Sequence, residues 1–135
     1  MTINLDPYLA LNGTAREALE FYQSVLGGDL NVMTYGQSMP DAEHPDLVMH
    51  GQLNTAAGNQ IMASDAYPGM PHTPGDTVAV SLTGDDPVLA DHFAALSDGA
   101  EIVVPFAQQM WGDSYGQLRD RFGVIWHVNL AGGAA

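Results

Sequence analysis

The chain has 135 residues, 46% of them apolar and 14% charged, which suits one domain with a buried core and excludes a solvated coil. Sixteen acids against three arginines and no lysine give a net charge of −13, a field that repels phosphate backbones and anionic lipid and so argues against nucleic acid or a membrane as partner. No cysteine is present, which rules out disulfides, thiolate metal sites and thiol nucleophiles.

The opening MTINLDPYLA has neither a basic segment nor a long apolar run, so a cytoplasmic location is expected. Residues 5–11, LDPYLAL, alternate side-chain character with the period of a half-buried strand. Ala18, Phe21, Tyr22 and Val25 then recur at helical spacing. Thr14 and Glu17 form the pattern of a capping box, and Gly27-Gly28 stops the helix. Strands are expected over residues 29–35, 47–53 and 60–64, with the insertion QSMPDAEHP between the first two. The segment DAYPGMPHTPGD is rich in Pro and Gly and joins the two halves of the chain.

The second half repeats the first. A strand over residues 77–82 precedes a helix with Asp85 or Asp86 as cap, Pro87 in its first position and Gly99 as its stop. Leu89, Phe93 and Leu96 line one helical face. Strands follow over residues 101–106, 115–118 and 125–129, the last two joined by the turn Asp120-Arg121-Phe122-Gly123. In that turn Asp bonds its own backbone and Gly supplies positive φ. Gly51-Gln52-Leu53 recurs as Gly116-Gln117-Leu118, each copy followed by a turn and a strand. The chain therefore reads as a single α+β domain over residues 1–135 built of tandem βαβββ modules, 1–66 and 77–131, with a linker at 66–76.

Specific residues sharpen this reading. Pro7-Tyr8-Leu9, Asn12-Gly13, Ala15, Ala18, Phe21-Tyr22 and Leu26-Gly27-Gly28 at one end, and Trp111-Gly112-Asp113, Tyr115-Gly116, Asp120, Phe122-Gly123, Trp126 and Asn129 at the other, resemble the PhnB-like branch of the vicinal-oxygen-chelate superfamily. That superfamily includes glyoxalase I, extradiol dioxygenases and bleomycin-resistance proteins. The resemblance implies eight strands curling into an incomplete barrel around a cleft, in a homodimer, and leaves the reaction open. Its metalloenzymes take one ligand, typically His or Glu, from each of the first, fourth, fifth and eighth strands. The matching positions here are Asp6, Met62, Thr77 and His127. Only Asp6 and His127 suit a hard or borderline ion, and zinc or a catalytic iron wants at least three such donors. The metal site thus reads as degenerate, and no cofactor is expected.

Strand parity selects the cleft residues. Val124, Trp126, Val128 and Leu130 form the packed set of the last strand and leave Ile125, His127 and Asn129 facing the cleft. In the fourth strand Ile61 and Ala63 pack while Gln60, Met62 and Ser64 face inward; in the fifth Val78, Val80 and Leu82 pack while Thr77, Ala79 and Ser81 line the cleft. In the first, Leu5, Leu9 and Leu11 pack while Asp6, Tyr8 and Ala10 line it. His127 has three readings: a general acid or base, a partner of Asp6 across neighbouring strands, or a hydrogen-bonded pocket wall. Met110 and Trp111 stand at the mouth of the seventh strand, where an exposed indole suits ligand stacking or a dimer contact. His50, His72, Asp65, Glu43 and His44 are further polar candidates.

The expected function is binding of a small molecule by Tyr8, Met62, Met110, Trp111, His127 and Asn129, with no catalytic residue assigned. The alternative is a glyoxalase-type lyase or isomerase using a divalent Zn, Ni, Mn or Fe ion on Asp6 and His127. A third reading makes the dimer itself the product and the cleft vestigial. No Gly-rich strand–loop–helix for a nucleotide cofactor is visible, so a methyltransferase reading finds no support in the motifs.

Overall fold

A computed structural model describes residues 1–132. The chain forms two compact units, one spanning Met1–Thr73 and the other beginning at Pro74. Each has its own four-stranded mixed sheet with a helix on one face, and neither sheet closes into a barrel. The architecture is α+β, a βαβββ module in each unit.

Unit one runs β1 (Tyr8–Leu11), α1 (Ala15–Leu26), β2 (Asp29–Thr34), α2 (Tyr35–Ser38), β3 (Val48–Asn54) and β4 (Gln60–Asp65). Its sheet order is β1-β4-β3-β2, with β1 parallel to β4 and the other pairs antiparallel. Helix α1 buries Ala15, Ala18, Leu19 and Tyr22, a stripe slightly rotated from the expected one, because Leu19 seats directly on Gly51 of β3. A Cβ at Gly51 would collide with the Leu19 Cδ1 methyl, so the first residue of the Gly-Gln-Leu repeat is the point where helix meets sheet.

Three expectations in this unit need correction. The strand expected over residues 5–11 begins only at Tyr8, and Leu5 is 98% exposed rather than packed. The expected capping box at Thr14 and Glu17 is not formed: Thr14 has φ −115° and ψ 11° and makes no side-chain cap bond, short of the extended ψ that capping requires. Instead the Asp65 carboxylate, 4% exposed at the end of β4, accepts from the amides of Gly13 and Ala15 on one oxygen and of Val48 on the other, each at 2.9 Å. A reciprocal capping box exists elsewhere, between Thr34 and Gln37. It starts α2 and ends the strand expected to reach residue 35 one residue early.

Unit two runs β5 (Val80–Gly84), α3 (Val88–Leu96), β6 (Glu101–Gln108), β7 (Ser114–Arg119) and β8 (Ile125–Leu130), with sheet order β5-β8-β7-β6 and β5 parallel to β8. The strand expected from residue 77 starts at Val80, leaving Thr77 in a bend and Val78 84% exposed. Asp86 Oδ1 accepts from Val88 N at 2.9 Å and opens α3, whose Leu89, Phe93 and Leu96 are buried as expected. A Cβ at Gly116 would lie 2.7 Å from Phe93 Cε2 and 3.0 Å from Phe106 Cα. The second Gly-Gln-Leu copy thus serves α3 as the first serves α1.

The turn after β7 forms as expected. Asp120 Oδ1 accepts from Phe122 N at 2.8 Å and Val124 N at 3.0 Å, and Gly123 has φ +90°. Its second oxygen accepts from the fully buried Trp126 indole N–H at 2.9 Å. Asp65 and Asp120 are the buried carboxylates among the described residues, and each has donors on both oxygens, as burial of a charge demands.

Candidate functional site

Register decides which side chains share a face. Gly116 lies under Phe93 and pairs with Val128, so Val128 and Trp126 face α3, and both are fully buried. Alternation then puts Ile125, His127 and Asn129 of β8, and Tyr115 and Gln117 of β7, on the helix-free face of the same sheet. Ile125 is nonetheless buried, while His127 and Asn129 are half-buried. By the same logic Gly51 lies under Leu19 and pairs with Ala63, which puts His50, Gln52, Met62 and Tyr8 on the helix-free face of unit one. The Gly-Gln-Leu repeat superposes the two registers. Met62 pairs with Tyr8 and Gln52, while His127 pairs with Ser81 and Gln117.

On the helix-free face of unit two the hydroxyl of Tyr115 lies 2.5 Å from His127 Nδ1, with the rings stacked 5.9 Å apart. Trp111, 60% exposed, stands 6.5 Å from the Tyr115 ring. Three rings therefore continue one another from the β6–β7 loop across β7 to β8. The loop is anchored by Asp113. Its backbone oxygen accepts from Gln109 N at 2.8 Å, and its carboxylate accepts from Asn129 Nδ2 at 3.0 Å and from Gly132 N at 2.8 Å. The Asn129 amide, then the Gly132 N–H, lower the Asp113 pKa below its ordinary value; burial opposes them and the Trp111 side chain adds a smaller lowering. Asn129 is thus a tether that fixes the loop carrying Trp111. Met110 projects from the loop tip at 98% exposure.

Unit one has a looser counterpart. Tyr8 Oη lies 3.2 Å from His50 Nδ1, with ring centroids 5.7 Å apart, and Met62 separates their strands. His72 Nε2 approaches the Ala10 carbonyl at 3.0 Å and ties the linker to β1. A cavity of about 710 Å³ lies on the other side of this unit, where the start of α1 meets the insertion, lined by Arg16, Glu17, Glu20, Glu43, His44 and Asp46 among others. Its buried floor, Val48 and Asp65, is already hydrogen-bonded internally.

The sequence-predicted site residues are therefore divided: Asp6, Tyr8 and Met62 belong to unit one, and Met110, Trp111, His127 and Asn129 to unit two. Asp6 and His127 do not lie on neighbouring strands of one sheet. The strands flanking His127 are β5 and β7, its imidazole partner is Tyr115, and Asp6 precedes β1 altogether. Tyr115 was absent from the predicted set, although its two-residue spacing from Gln117 in the repeat places it on the same face.

Nor do the residues fit the divalent ion that the superfamily's metalloenzymes hold. Asp6 and Thr77 lie outside the strands, so the register partners of Met62 and His127 are Tyr8 and Ser81. A thioether and a hydroxyl on unit one, and an imidazole and a hydroxyl on unit two, give each unit at most one good donor for Zn, Ni, Mn or Fe. Among the described residues no three His, Asp or Glu side chains converge.

Comparison with known proteins agrees with this fold. Residues 4–129 match the family described as 3-demethylubiquinone-9 3-methyltransferase. The crystal structure of protein PA1353 from Pseudomonas aeruginosa is 34% identical, with a TM-score of 0.87 over 97% of this chain and 99% of that one. A putative 3-demethylubiquinone-9 3-methyltransferase, PhnB protein, from Bacillus cereus is 24% identical with a TM-score of 0.77 over 96% and 100% of the two chains. A glyoxalase family protein from Bacillus cereus shares the fold alone, at 15% identity and a TM-score of 0.65 over 98% and 97%. The chain belongs to the family described as 3-demethylubiquinone-9 3-methyltransferase.

Proposed function

We propose that this PhnB-like protein binds a small organic molecule on the helix-free face of unit two, without a resident metal ion. The observation that carries the reading is the ring series Trp111–Tyr115–His127, held by the Asp113–Asn129 tether and ending at an exposed indole. Aromatic walls with a few oriented polar groups are the usual make-up of a small-molecule site. Tyr8, Met62 and His50 on unit one offer a second surface of the same kind. The methyltransferase activity in the family's description would need a bound methyl donor.

The test uses the two tryptophans, one exposed and one fully buried. A library of small organic molecules titrated against indole fluorescence is expected to yield a saturable change that disappears in Trp111→Ala. A saturable change that survives in Trp111→Ala, or none at all, overturns the reading. Uptake of one Zn, Ni, Mn or Fe ion per chain on His127 and two further side chains favours the lyase or isomerase alternative.

The protein is further proposed to act as a cytoplasmic homodimer. Ile102 and Val103 are exposed on the edge strand β6, and an exposed apolar edge is a site for pairing with another chain. Light scattering is expected to give twice the 14.3 kDa chain mass; the mass of one chain contradicts it. Among the described residues no helix is long and apolar enough to cross a membrane.

A further inference from the structure

We infer that Tyr115 holds His127 as its Nε2–H tautomer and thereby sets the helix-free face of unit two to take neutral ligands through an acceptor oxygen, such as a ketone or amide carbonyl. The inference rests on the binding reading above and adds the ligand class to it. A neutral imidazole has one N–H and one lone pair, and the bond made at one nitrogen fixes the role of the other. The phenol O–H is a good donor and its oxygen a poor acceptor, whereas the imidazole lone pair is a strong acceptor. A separation of 2.5 Å between Tyr115 Oη and His127 Nδ1 therefore favours O–H donating to Nδ1, which puts the imidazole proton on Nε2. Among the described residues no protein group bonds Nε2, and no buried ring nitrogen is left without a partner, so this N–H is open to a ligand.

The same arrangement selects against charge. With Nδ1 occupied and Nε2 protonated, the ring has no lone pair left for an ammonium group. An anion meets the field of a chain with net charge −13 and the Asp113 carboxylate, bonded to Asn129 two residues along the same strand face. A neutral carbonyl oxygen meets neither obstacle. Its flat substituents can lie against Tyr115 and the exposed Trp111 indole. The pair in unit one, at 3.2 Å, is longer and constrains its imidazole less.

Long-range proton–nitrogen NMR of the ¹⁵N-labelled full chain at neutral pH tests the tautomer directly. A proton on Nε2 of His127 and a bare Nδ1 are expected; a proton on Nδ1 overturns the inference, whatever the behaviour of any variant. Ligand class is tested with acetophenone and its isostere α-methylstyrene, in which CH₂ replaces the carbonyl oxygen, each followed at the His127 ring signals. One hydrogen bond of about 1 kcal/mol predicts that acetophenone binds about fivefold tighter. Tyr115→Phe is expected to let the His127 proton populate Nδ1 as well as Nε2, read in the same long-range proton–nitrogen spectrum, a change that general damage to the fold does not produce. Equal binding of the two probes, or tighter binding of 1-phenylethylamine than of acetophenone, sinks the acceptor inference and leaves the binding reading standing. Absence of a saturable shift from all three probes sinks both.

Discussion

The two units place their buried carboxylates in opposite ways. Asp65 in unit one joins distant pieces of chain, bonding amides 52, 50 and 17 residues away so that the β1–α1 turn and the start of β3 are fastened to the end of β4. Asp120 in unit two works locally, bonding amides two and four residues on and an indole six residues on. One acid organises a whole module, while the other shapes a single turn and seats the largest core residue on it. Unit two also carries the tighter Tyr–His pair, at 2.5 Å against 3.2 Å.

Replacing either acid is expected to have the largest effect on stability. Asp65→Ala and Asp120→Ala each strand three donors, and each change is expected to cost about 3 kcal/mol, read from urea denaturation. Asn rescues neither, because its amide would point a donor at Val48 N–H or at the Trp126 indole. Amide exchange separates the two. Asp65→Ala is expected to expose Gly13, Ala15 and Val48 together, and Asp120→Ala only the β7–β8 turn. Broad loss of protection in Asp120→Ala would erase the distinction between global and local roles.

Smaller effects are expected at the repeat glycines. Gly116→Ala would press a methyl between the Phe93 ring and the Phe106 backbone, which is expected to cost about 2–3 kcal/mol. Gly51→Ala meets the tip of Leu19, which can turn, and about 1 kcal/mol is expected. Equal losses in the two denaturation midpoints would show that α1 and α3 sit equally tightly on their sheets. The smallest effect concerns Asp113. Its pKa is lowered from 3.8 in the folded chain, so the clasp to Asn129 and Gly132 holds above that value and opens as pH falls through the lower folded value. The Gly132 amide proton is expected to move upfield in that acid window, and to be insensitive to pH there in Asp113→Asn.

Much of the fold was legible in the sequence because its signals are local. The Gly-Gln-Leu repeat marked the two modules, the 89–93–96 spacing marked the buried face of α3, and Asp120 with Gly123 announced their turn. What was missed depends on distance along the chain. The expected Thr14 cap gave way to a carboxylate about 50 residues away, which no window around α1 contains. Strand starts at residues 5 and 77 were placed too early because alternation continues into segments that have no strand partner. Parity identified the face of His127, but its partner followed from strand order, which pairs β8 with β5 and β7.

Crystals soaked with acetophenone test most directly whether the helix-free face of unit two is the binding face. Density for the probe is expected against the Trp111 and Tyr115 rings, with its oxygen within hydrogen-bond distance of His127 Nε2. Occupancy confined to the cavity lined by Arg16, Glu17 and Asp46, with the His127 face bare, would contradict that assignment.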